Sequence, residues 1–218
     1  MKKYTEPLAC GVFYHIYNRG INREDIFKEE RNYAFFLRKY AQYVLPVAET
    51  YAYCLLRNHF HLLVRTRSAE EVIRNVCATS QIVEAVHPAD ITDAMAVKHI
   101  SNQFAKLFNS YAQAINKAYH RTGGLFENVF RRIPVNDELY FAHLVYYIHF
   151  NPQRHGLVPD FKDYPHSSYR TLLTYWQSKA EKDEQLIHCS ASLSDAERID
   201  HHDYRTRANL HMFEIELD

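Results

Sequence analysis

Several familiar classes are excluded by what the chain lacks. Its 218 residues include only four cysteines, Cys10, Cys54, Cys77 and Cys189, and they are widely scattered. None forms a CxxC pair, so a zinc knuckle is not expected. No apolar run approaches the roughly 18 residues that a membrane span needs. The opening stretch, MKKYTEPLACGVFYHIYNRG, holds too few apolar residues for a secretory signal. A cytoplasmic location with reduced thiols is the expectation that follows. Internal repeats and low-complexity runs are also missing. So is any excess of charge, since 26 basic residues meet 26 acidic ones.

That balance conceals an asymmetry. Residues 181–218 carry 10 acidic and 4 basic residues, a net of −6, so residues 1–180 carry 22 basic and 16 acidic, a net of +6. A basic body suits a polyanionic ligand, and an acidic tail could compete for the same surface or simply be a solvated segment. The length allows one domain with a sizeable core plus a small appendage. We place the domain at residues 1–170 and an acidic, partly helical tail at 171–218. Aromatic residues are abundant, with 17 Tyr and 13 Phe. They can fill a core, and they can also stack on unpaired bases.

Period and punctuation give a coarse element order. Residues 10–18 (CGVFYHIYN) read as a strand, and Arg19-Gly20-Ile21-Asn22 as a turn. A helix is expected over 25–43, a strand over 49–56 and another over 59–65. Ser68-Ala69-Glu70-Glu71 is a capping box that opens a further helix. Residues 84–96 read as a loop or insertion, and 101–120 as a long amphipathic helix. A strand over 125–135 follows Gly123-Gly124. Asn136 and Asp137 are candidate caps for a helix that Pro152 is expected to stop after Asn151. The order β-α-β-β-α-α-β-α suits an α+β fold, a ferredoxin-like or RRM-like antiparallel sheet with helices packed against it.

Two constellations bear on chemistry. His59-Phe60-His61 heads an apolar strand, and alternate strand residues share a face. Both imidazoles therefore point the same way, at a separation that suits one divalent metal. Such a pair can equally be two surface histidines, and a metal site needs a third ligand. Tyr147 and Asn151 lie four apart in HLVYYIHFNPQRHG, on one stripe of a predicted helix. A phenol can attack a phosphodiester, and an amide oxygen can ligate a hard metal. The plainer alternative is a packing aromatic followed by a helix-ending Asn. Tyr111 is a rival nucleophile, but Ile115 occupies its i+4 position. His143 and His149 could assist proton transfer or be ordinary surface histidines, and His15 could face either the site or the solvent.

Taken together, YAYCLLRNHFHLLVRT resembles the metal-binding strand of the HUH single-strand DNA transposases. YYIHFNPQRHGLV resembles the nucleophile helix of their REP-associated tyrosine transposase branch. NRGINREDIF, GGLFENVFRR and YPHSSY fall where that family has comparable segments, and the resemblance covers roughly residues 10–170. It implies that His59 and His61 ligate Mg²⁺ or Mn²⁺, with Asn151 where many relatives carry Gln as the third ligand. It implies that Tyr147 is the nucleophile and forms a 5′-phosphotyrosine. Phe126 stands where relatives often have Trp, a departure away from the proposed site.

The expected partner is single-stranded or hairpin DNA, and the expected state a monomer or homodimer. Arg19, Arg23, Lys106, Lys117, Arg121, Arg131 and Arg132 are candidate DNA contacts, beside Tyr111, Tyr119, Phe126 and Phe130. The competing readings are a DNA-binding protein that keeps the fold without cutting, and a replication or conjugation nickase. The short chain, with no attached helicase-like domain, disfavours the nickase.

Overall fold

The computed structural model describes residues 7–79, 92–127 and 129–180. Its contacts divide the chain into two compact units, residues 1–169 and 170–218. The acidic tail from residue 181 and most of the 84–96 segment lie outside the described residues.

Four strands form one antiparallel sheet: β1 (Phe13–Arg19), β2 (Ala48–Leu55), β3 (His59–Thr66) and β4 (Arg131–Pro134), in the order β2-β3-β1-β4. Helices α1 (Glu30–Tyr43), α2 (Ala69–Thr79), α3 (Asp93–Ala118) and α4 (Glu138–Arg154) complete the first unit, and α5 (Tyr169–Ala180) opens the second. The fold is therefore α+β with a four-stranded antiparallel sheet, and the strand order is that of a ferredoxin-like sheet.

The period of 2 sorts each strand onto two faces. Phe60, Leu62 and Val64 of β3, with Tyr14 and Ile16 of β1, join Phe36 of α1 and Phe104, Leu107, Phe108 and Tyr111 of α3 in one core. The opposite face carries His15 and Tyr17 of β1 and His59 and His61 of β3. Helix α4 lies over that second face, where the Tyr147 ring sits 5.5 Å from the His61 ring. β3 runs through the middle of the sheet, and all its residues but Arg65 are buried.

Element boundaries differ from expectation where tertiary bonds override local pattern. Helix α1 starts at Glu30 rather than near Asp25 because the Ile26 and Phe27 N–H groups both bond the Arg57 carbonyl, at 2.8 Å each. A reciprocal box between Glu29 and Asn32 then opens the helix. The expected box at α2 forms, with Ser68 N–H on Glu71 Oε2 at 2.9 Å and Glu71 N–H on Ser68 Oγ at 3.2 Å. Helix α3 begins at Asp93, eight residues before the expected start, because Ala96 and Ile100 extend its buried stripe. The strand expected over 125–135 shrinks to Arg131–Pro134. Residues 125–127 are tied instead to the turn after β1, through Ile21 N–H on Leu125 O and Glu127 N–H on Arg19 O. Val129, at φ 51°, then breaks the extended chain.

Pro152 does not stop α4, which continues to Arg154. The proline leaves the Ile148 carbonyl without its helical N–H partner, yet the chain keeps helical geometry for two more residues. The true stop is a Schellman motif on Gly156 at φ 67°, with Leu157 N–H on Pro152 O at 2.9 Å and Gly156 N–H on Gln153 O at 3.0 Å.

The turn after β1 depends on Gly20. A Cβ there would run into the Glu24 carbonyl oxygen, which is backbone and cannot move aside cheaply. Gly20 N–H also holds the Asn58 carbonyl at 2.8 Å. Gly20→Ala is therefore expected to destabilise the fold by about 1–3 kcal/mol, the usual range for overpacking. Urea unfolding of the two proteins checks this, and equal midpoints would mean that the turn relaxes freely.

Candidate active site

The histidine strand presents its two imidazoles to α4 as the alternation predicts. His59 and His61 are 7% and 1% exposed, their ring centroids 5.3 Å apart. Each has one nitrogen anchored. His59 Nδ1 lies 2.7 Å from Asn58 Oδ1, an atom that can only accept, so Nδ1 carries the proton. The lone pair of the neutral ring is therefore on Nε2. His61 Nδ1 lies 3.0 Å from His15 Nε2. With the proton on His61 Nδ1, its lone pair is also on Nε2.

Asn151 lies fully buried on α4, one turn after Tyr147. Its Nδ2 donates to the Tyr147 carbonyl at 2.7 Å, which leaves Oδ1 as the free atom. Among the described residues, His59 Nε2, His61 Nε2 and Asn151 Oδ1 are the buried side-chain atoms with no hydrogen-bond partner. A buried unsatisfied polar atom costs about 1–3 kcal/mol, and native folds rarely tolerate one without a reason. Two imidazole nitrogens and an amide oxygen form a donor set that suits a divalent cation. No group of three or more His, Cys, Asp or Glu able to hold a metal occurs among the described residues. A metal here thus depends on the amide oxygen.

Burial sets the charge state. Desolvation pushes His59 down to about 3, helped by His155 and Arg19. It pushes His15 down to about 3 and His149 to about 4. His61 falls well below its ordinary value through burial and then through His15, His59, His155 and Arg154. All four are neutral at pH 7, the form in which an imidazole binds metal.

Unfolding releases these rings to the ordinary value of 6.5, so below that pH the unfolded state binds more protons. Stability is complete above about pH 6.5 and falls as pH drops toward 4, each ring adding up to about 1.4 kcal/mol per pH unit. Thermal midpoints measured between pH 7.5 and 4.5 should fall steadily, and a flat profile would show that the rings are not held neutral.

Tyr147 is 5% exposed and lies beside these donors, 5.5 Å from the His61 ring and 6.3 Å from that of His15. Burial pushes its phenol up, while the Arg154 cation and hydrogen bonds to Asn151 and Arg154 act against that rise. The rival Tyr111 is excluded by position. It is wholly buried in the core on the other face of the sheet, and its hydroxyl donates to Ile26 O at 2.7 Å. Burial pushes that phenol strongly up.

The structure thus brings His59, His61, Tyr147 and Asn151 together, and it adds residues that the sequence left open or missed. His15 faces the site and supports His61. His155 packs its ring 5.1 Å from that of His59. His149 is not a surface histidine, since it is buried with Nε2 2.9 Å from Ser168 Oγ.

The expected DNA contacts are dispersed. Arg19 pairs in register with His59, and Arg131 with Tyr17, so both flank the site on its own face of the sheet. Arg19 lies 3.6 Å from Glu127, and Arg131 lies over the Tyr17 ring. Arg132 points to the opposite face, over Phe130. Arg121 is tied to Glu24 and Asn116. Arg23 is exposed in the turn after β1, and Lys106 and Lys117 are exposed on α3, across the sheet from the site. The aromatics expected beside them do not line an open groove. Tyr111 is core, and Phe126 and Phe130 pack against Phe108 at 5.6 and 5.0 Å. Tyr119 bonds Glu29 and Asn32 through its hydroxyl.

No protein-family model matches the chain. A Haemophilus influenzae protein named "Putative REP-associated tyrosine transposase" is 25% identical over 123 residues, 56% of this chain and 58% of that protein. The match thus spans just over half the length of that relative. A solved structure, described as the REP-associated tyrosine transposase bound to a REP hairpin, has a similar fold. It shows a TM-score of 0.53 and 14% identity, covering 78% of this chain and 84% of that one. Both similar proteins are described as REP-associated tyrosine transposases, one resembling this chain in part of its sequence and the other in its fold.

Proposed function

We propose that the chain cuts and rejoins single-stranded DNA through a 5′-phosphotyrosine intermediate, at strands that fold into hairpins. One observation carries this reading. Three buried donor atoms, His59 Nε2, His61 Nε2 and Asn151 Oδ1, have no hydrogen-bond partner, and the Tyr147 ring lies 5.5 Å from that of His61. A protein that only bound DNA would gain nothing from three desolvated donors gathered at a tyrosine.

The residues divide the work. His59, His61 and Asn151 would hold Mg²⁺ or Mn²⁺, which supplies positive charge to the scissile phosphate. Tyr147 attacks phosphorus. Its oxygen forms the new P–O bond, the bond to the 3′-oxygen breaks, and the phenolic proton is replaced by one on the departing 3′-hydroxyl. Attack by another 3′-hydroxyl reverses the step and rejoins strands with no high-energy cofactor. Asn58 and His15 hold the two imidazoles in their metal-binding tautomers, the outer support that such ligands need. Arg19 and Arg131, on the floor beside the site, suit backbone phosphates. The likeness to a transposase solved on a REP hairpin supports hairpin DNA as the substrate.

The test is incubation of the full chain with a pool of hairpin-bearing single strands and Mn²⁺. A denaturant-resistant protein–DNA adduct is expected. Tight binding with every strand left intact would favour the non-cutting alternative.

A further inference from the structure

Helix α4 carries a third functional position that the family motifs did not single out. It continues past Pro152 for two residues, and the Schellman motif on Gly156 fixes that final turn. Arg154 is therefore helical. At 100° per residue, Tyr147, Asn151 and Arg154 fall within about 60° of one another around the axis. The guanidinium lies 5.8 Å from the centre of the Tyr147 ring, close enough for its charge to act against the burial that pushes the phenol up. Unlike Tyr147 and Asn151, Arg154 is exposed. The same residue thus lies over the buried Tyr147 ring and is open to solvent, where an incoming phosphate could meet it.

We propose that Arg154 is a catalytic residue that binds a non-bridging oxygen of the scissile phosphate and stabilises the charge that builds there as Tyr147 attacks. The inference rests on the cutting reading above. Its chemistry is that of a planar fork of donors matched to two phosphate oxygens. Arg154 takes no part in the bond balance: Tyr147 oxygen gains phosphorus, the 3′-oxygen loses it, and the arginine keeps its protons throughout. The remaining cations near the site are differently placed. Arg19 is engaged by Glu127, and Arg131 lies over Tyr17.

The test is single-turnover adduct formation on a hairpin strand whose scissile position has been mapped with the wild-type chain. Arg154→Ala is expected to slow adduct formation about 100-fold, the scale for losing one transition-state donor, with little change in hairpin binding. Arg154→Lys, which keeps the charge and loses the fork, should recover part of the rate. A second strand carries a methylphosphonate at the scissile position and so lacks the anionic oxygen. On that strand the gap between wild type and Arg154→Ala should largely close. Equal rates for both proteins on the ordinary phosphate would overturn the assignment. So would an equal slowing on both strands, which would make Arg154 a packing residue. Failure of the wild-type chain to form any adduct would instead sink the cutting reading, and this inference with it.

Discussion

Tyr147→Phe is expected to abolish covalent capture of DNA while leaving hairpin binding unchanged. The substitution removes one oxygen and keeps the ring, so the contacts with His61, His15 and Arg154 survive. What disappears is the atom that would bond phosphorus. The adjacent Tyr146 offers no substitute. Its ring stacks on Phe150 at 5.3 Å and meets Phe161 at 6.0 Å, a cluster away from the histidines. Tyr111 is sealed in the core. Tyr146→Phe and Tyr111→Phe should therefore still form the adduct, and mass spectrometry of the captured peptide should identify Tyr147. Full capture by Tyr147→Phe, or an adduct mapped to another tyrosine, would refute the assignment.

Double substitution of His59 and His61 by alanine is expected to remove divalent-metal binding. The wild-type chain should bind Mn²⁺ in a calorimetric titration, with Asn151 Oδ1 as the oxygen donor. Binding to the folded state also stabilises it. At a metal concentration 100 times Kd the gain is about 2.7 kcal/mol, which for a chain of this size raises the thermal midpoint by roughly 5–10 °C. The double mutant should show neither heat nor shift. Equal behaviour of the two proteins would remove the metal from the mechanism and leave the three unpaired atoms unexplained.

The sequence disclosed those parts of the site that depend on a period. Strand alternation put His59 and His61 on one face, and helix spacing put Tyr147 and Asn151 on one stripe, because neither relation needs a distant neighbour. The element order was readable for the same reason and led to the observed sheet. What stayed hidden depends on contacts across the fold. His15 alternates correctly for either face, and only the β1–β3 register places it against His61. The expectation that Pro152 ends the helix hides Arg154. Its i+7 relation to Tyr147 was readable, but the Gly156 stop that makes the relation real depends on several backbone bonds acting together. Tyr111 and His149 have polar tips that sequence alone leaves free to face water. In the fold, Ile26 O and Ser168 Oγ give those tips partners and let both residues be buried.

The segment YPHSSY runs beside the end of β2. Leu55 N–H bonds the His166 carbonyl at 2.9 Å, Ser168 N–H bonds that of Tyr53 at 3.0 Å, and Cys54 bridges to Ser167. These bonds cap the Tyr53–Leu55 end of the outer edge of β2, where the sheet would otherwise offer unpaired backbone groups. The other edge, β4, is four residues long, carries two arginines and ends at Pro134. Among the described residues, the covered end of β2 and the short, basic β4 both disfavour edge-to-edge pairing of two copies. Trimming the chain before residue 166 would reopen the β2 margin and invite aggregation, so the shortest soluble version should run through Ser168.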